Sequence, residues 1–104
     1  MTKQHYDIVM QTSIGKRYGT MTAEWGGGQI SGLMELLGHT EAFHGKVDET
    51  GNCHIKGKLI SLNRSIPYTA VGKISSSMLQ LSLQEERNHF KITGSVISES
   101  EVDI

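Results

Sequence analysis

The chain has 104 residues, 37% hydrophobic and 20% charged, which suits one soluble domain with a modest core. Ten basic and eleven acidic residues leave a formal net charge of −1, so no overall field steers the molecule towards nucleic acid or an anionic membrane. A lone cysteine, Cys53, excludes an internal disulfide, and no stretch approaches the ~18 apolar residues of a membrane helix. With an opening stretch (Met1–Asp7) too polar for a signal peptide, a cytoplasmic protein with no membrane partner is expected.

Tyr6, Ile8 and Met10 alternate with more polar neighbours, as do Gly19, Met21, Ala23 and Trp25. A two-residue Gly15-Lys16 turn would pair Thr12 with Gly19, Met10 with Met21, Ile8 with Ala23 and Tyr6 with Trp25, and would gather every apolar residue on one face. In that register Asp7 faces Glu24 on the outside. Gly26-Gly27-Gly28 makes the next turn. In Gln29–Leu37, Leu33, Leu36 and Leu37 have helical spacing and Gly38 could end a helix, but Ile30, Gly32, Met34 and Leu36 alternate, so a strand is expected.

Phe43 to Leu59 is the clearest hairpin. Asp48-Glu49-Thr50-Gly51 has the residues of a type I turn with a glycine bulge, which pairs Val47 with Cys53, Gly45 with Ile55 and Phe43 with Gly57. The phase changes at Leu59-Ile60, suggesting a β-bulge, and Asn63-Arg64-Ser65 reads as a turn. Ile66, Tyr68, Ala70, Gly72 and Ile74 form another inward set, with Pro67 tolerable on the opposite face. Ser75-Ser76-Ser77 turns into Leu79, Leu81 and Leu83, and Glu85-Glu86-Arg87-Asn88 turns into Phe90, Ile92, Gly94 and Val96. The segment 98–104 is an acidic tail expected to fray, which leaves 1–97 as a single domain.

A motif of the form apolar–x–Gly–x–apolar recurs five times, centred on Gly32, Gly45, Gly57, Gly72 and Gly94. In a strand these positions share one face, so each copy sets a glycine among inward apolar side chains and eases tight coiling. About eight strands in simple order predict an all-β, antiparallel up-and-down meander forming a small β-barrel or strongly rolled sheet, with a two-sheet sandwich as the alternative.

The residues with chemistry form no catalytic pattern. No pair among His5, His39, His44, His54 and His89 has the i, i+2 strand spacing that aims two imidazoles at one ion, so no metal or cofactor is expected. Cys53 falls on an apolar face without an activating base, and no Gly-x-Ser-x-Gly elbow occurs. Gly26–Gly28 lacks the helix that a phosphate-binding glycine loop requires. An uncharacterised enzyme is therefore the weaker reading.

Two binding readings remain. Inward Tyr6, Met10, Met21, Trp25, Met34, Phe43, Tyr68 and Phe90 would line a site for a small apolar ligand, or else simply form the core. Outward His44, Lys46, His54, Lys56 and Lys58, extended by Lys73 and Lys91, would suit an anion or a nucleic-acid backbone, although nucleic acid is disfavoured because no outward aromatics interleave with the lysines. A protein partner, in particular a homodimer formed through free strand edges, is a third expectation. A non-enzymatic β-barrel module that binds a small apolar ligand or a protein partner is the leading reading, with the anion or nucleic-acid-backbone surface of the 43–59 hairpin as the alternative.

Overall fold

A computed structural model of the chain describes residues 2–62 and 64–97. The alternation is realised as eight strands: β1 (Thr2–Thr12), β2 (Gly15–Gly26), β3 (Gln29–Leu36), β4 (His39–Val47), β5 (Asn52–Ser61), β6 (Arg64–Ile74), β7 (Met78–Glu85) and β8 (His89–Val96). Each pairs antiparallel with the next, and β1 pairs with β8, from Tyr6 with Val96 to Gln11 with Lys91, to close a barrel. The ambiguous Gln29–Leu36 segment is strand β3. The tail at 98–104 lies outside the described residues.

One parity of every strand points inward. Tyr6, Ile8 and Met10 meet Met21, Ala23, Ile30, Met34, Phe43, Ile55, Leu81, Leu83 and Ile92 in one core. Burying each large apolar side chain contributes about 1.5–3 kcal/mol, and this pays for the ordering of the strands. The motif glycines occupy the same inward phase and are half-buried. They let strands and rings approach closely: Phe43 lies over its cross-strand partner Gly32, and Tyr68 lies over its own partner Gly57.

The turns explain where the register departs from expectation. β1 turns into β2 through Ser13-Ile14, not Gly15-Lys16, so Tyr6 faces Met21, Ile8 faces Gly19 and Thr12 faces Gly15. Thr12 fixes this turn: its Oγ1 donates to the Gly15 carbonyl at 2.7 Å and accepts from the Ile14 N–H at 3.3 Å. Asp7 therefore faces Thr20, and Glu24 is paired with Lys3 at 3.5 Å. The displacement is even, so the same residues still face inward.

Gly27 and Gly28, with φ of 61° and 83°, form the primed turn that matches strand twist. No bulge interrupts β5 and β6. Ile60 faces Ser65 in an unbroken ladder and is half-buried on the outer side, while Arg64 and Ser65 already belong to β6. Two leucines adopt left-handed backbone at hairpin tips, Leu37 (φ 58°) and Leu62 (φ 48°), a conformation that costs about 1–2 kcal/mol outside glycine.

The β2–β3, β4–β5 and β6–β7 loops share one end of the barrel, which also holds the start of β1 and the end of β8. Hydrogen bonds lace this end: Val47 N–H to Gly28 O at 3.1 Å, Ile74 N–H to Gly51 O at 2.9 Å and Ile97 N–H to His5 O at 2.9 Å. Closure of β1 on β8 removes the free strand edges on which the expectation of a homodimer rested.

Candidate functional site

The inward candidates form a continuous packed interior. Tyr6, Met10, Met21, Met34, Phe43 and Tyr68 are buried, and Trp25 and Phe90 are the two that reach the surface. Tyr6 is 0% exposed, and its hydroxyl donates across the barrel to the Ser75 carbonyl. Burial, with Cys53 nearby, pushes the Tyr6 phenol up to about 12, and burial alone does the same to Tyr68. A ligand could touch Trp25 or Phe90 without displacing core side chains, but not the other six.

Cys53 is inward and buried. Desolvation, followed by the charge of Asp48, pushes its thiol up to about 11 despite a hydrogen bond from the Gly72 backbone. At pH 8 roughly one thiol in a thousand is ionised, so the folded protein should react with iodoacetamide at least a hundredfold more slowly than the urea-unfolded chain. Equal rates, read by mass spectrometry, would show that the site is open.

The outer wall of β4–β8 carries the basic candidates. The ladder sets His44 opposite Lys56 and Lys46 opposite His54, as the hairpin loop predicts. The rows continue around the barrel, one through Lys46, His54, Val71, Ser82 and Lys91, the other through Asn52, Lys73, Gln80 and Thr93. Between Lys73 and Lys91 lies a shallow groove of about 510 Å³ that Asn52, Gln80, Ser82 and Thr93 help to line.

Among the described residues, no outward position of β4–β8 bears a carboxylate. The acids are elsewhere: Asp7, Glu24 and Glu35 on the outside of β1–β3, Glu41 and the β7-terminal Glu85 at inward positions, and Asp48, Glu49 and Glu86 at loops. Glu41 reaches Lys58 at 3.6 Å, whereas Lys46, Lys56, Lys73 and Lys91 have no carboxylate partner among the described residues. The near-neutral chain is thus strongly polarised around its circumference.

A second concavity, about 870 Å³, opens at the barrel end between the β2–β3 turn and the β4–β5 loop. Trp25, Gly26, Gly27, Gly28, Val47, Asp48, Glu49 and Thr50 line it. Asp48 organises its loop: its carboxylate accepts from the Thr50 N–H (2.9 Å), the Asn52 N–H (3.0 Å), the Thr50 hydroxyl (2.9 Å) and the Asn52 amide (3.0 Å). The side-chain bonds from Asn52 and then Thr50 lead in lowering its pKa to about 2. Of its lining, Trp25 belongs to the inward candidates, whereas Asp48 and Glu49 carry no motif, although strand parity puts both loops at one end.

No three His, Cys, Asp or Glu side chains gather as a metal site among the described residues. No helix is long and apolar enough to cross a membrane. The molecule defines a class by its architecture: a closed eight-stranded up-and-down β-barrel with one lysine-bearing wall whose outward strand positions, among the described residues, carry no carboxylate. Compared with known proteins, the chain matches no family model, no curated protein and no solved structure.

Proposed function

We propose that this protein is a binding module that engages the phosphate backbone of duplex nucleic acid through the outer wall of β4–β8. The observation that carries this reading is the charge arrangement: Lys46, Lys56, Lys73 and Lys91 stand with His44, His54 and His89 at outward positions where no carboxylate intervenes. Lysines are often placed on sheets to prevent edge-to-edge pairing, but a closed barrel has no edge that needs such protection. Polar Asn52, Gln80, Ser82 and Thr93 add hydrogen-bond donors beside the lysines. The wall's outward positions hold no Phe, Tyr or Trp to stack on unpaired bases, which favours duplex over single strand and backbone contact over sequence reading.

Binding should be weak and salt-dependent. Two or three lysines contacting phosphate at once give a slope of log K against log salt between about −2 and −3 on a short DNA duplex. Lys46→Gln, Lys56→Gln and Lys73→Gln together should bring the slope to about −1 and weaken binding at least tenfold. Lys3→Gln with Lys16→Gln, on the opposite wall, should leave it unchanged. Fluorescence anisotropy reads both, and equal effects from the two sets of changes would refute the assignment.

A further inference from the structure

We infer that the groove at the Trp25 end of the barrel is a binding site for a small organic cation, such as a quaternary ammonium or guanidinium group. Three features converge there. Trp25 is partly buried against the core and lines the groove, and an indole attracts cations more strongly than any other side-chain ring. Asp48 and Glu49 supply two carboxylates on the facing loop, and no lysine, arginine or histidine lines the groove.

The hydrogen bonds from Asn52 and Thr50 keep the Asp48 carboxylate ionised and fixed in place, while Glu49 is exposed and free to turn towards a ligand. The third feature is space. The turn Gly26–Gly28 has no side chains to fill the cleft, and a side chain at Gly27 would meet no atom within 4 Å. The hydrogen bond from Val47 to Gly28 couples this turn to the acidic loop, so the two walls are held together before any ligand arrives. An indole in the lining, anchored negative charge and a preformed gap match the chemistry of an alkylammonium group, and the charge is opposite in sign to that of the β4–β8 wall.

Trp25 is the only tryptophan, so intrinsic fluorescence reports on this site alone. Titration with tetramethylammonium chloride should give a saturable change in emission with a Kd between about 0.1 and 10 mM. Sodium chloride at matched ionic strength should not. Glu49→Gln, an exposed change that leaves the fold intact by circular dichroism, should raise the Kd about threefold, and Lys46→Gln should not raise it. A change that sodium chloride reproduces, that fails to saturate, or that Glu49→Gln leaves as it was would overturn the assignment.

Discussion

Gly72→Ala is expected to cost about 3 kcal/mol or more, a large share of the ~5–15 kcal/mol that holds a domain of this size together. Gly72 lies in β6 between Cys53 of β5 and Leu81 of β7, held by ladders on both sides. An added methyl would run into the carbonyl oxygen of Gln80, with the Leu81 Cα 2.8 Å away. Both obstacles are backbone, and neither strand can retreat without breaking its pairing. Gly57→Ala offers an informative contrast, because the methyl there would meet the Tyr68 hydroxyl at 2.7 Å and its ring carbons, the far end of a side chain that can tilt. That change should cost less than half as much. Gly27→Ala, which meets nothing but has φ of 61°, should cost about 1 kcal/mol. Urea melts followed by circular dichroism rank the three, and a Gly57 variant as damaged as the Gly72 variant would show that ring contacts, not backbone approach, set the curvature.

Phe43→Ala is expected to remove about 3–5 kcal/mol, since the ring is 2% exposed and fills the space over Gly32. Its second consequence bears on function. The gap left by the ring would be lined by apolar side chains and remain dry, so benzene should raise the melting temperature of the variant. The parent protein, whose interior is already filled by its own side chains, should show no such rise. If benzene stabilised the parent as well, room for a ligand would exist inside the barrel, and the small-ligand reading would belong to the interior and not to the Trp25 mouth.

Much of the architecture was legible in the sequence because a period of two is insensitive to even errors of register. Placing the first turn two residues late still sent Tyr6, Ile8, Met10, Met21 and Ala23 inward. The turn itself was misread for a chemical reason. Gly15 resembles the start of a tight turn, whereas its neighbour Ile14, 81% exposed, is a residue rarely left at a tip. The decisive Thr12 hydroxyl bonds are too local and too dependent on geometry to be read from composition. Leu59-Ile60 misled in another way, since two adjacent apolar residues can serve opposite sides of an unbroken strand.

For the binding surface, His44, Lys46, His54, Lys56 and Lys58 could be assigned to one face because the Asp48–Gly51 loop fixes their register. That no outward strand position of this half carries a carboxylate emerges only once every strand is in place and the sheet is closed. The Trp25 groove depends on two loops separated by a hairpin, so no spacing along the chain announces it.

The seam between β1 and β8 sets this chain apart kinetically from an open sheet. Seven pairings join strands that are neighbours in sequence and can zip up from short turns, whereas Tyr6 must find Val96 across nearly the entire polymer. Loop-closure entropy falls on that single event, which makes it the natural bottleneck of assembly. Until it happens, a nascent molecule exposes two unsatisfied ladders of backbone amides and carbonyls, and another unfinished copy could occupy them. Concentration during synthesis, more than the stability of the finished barrel, would then govern how much of the protein closes its own seam.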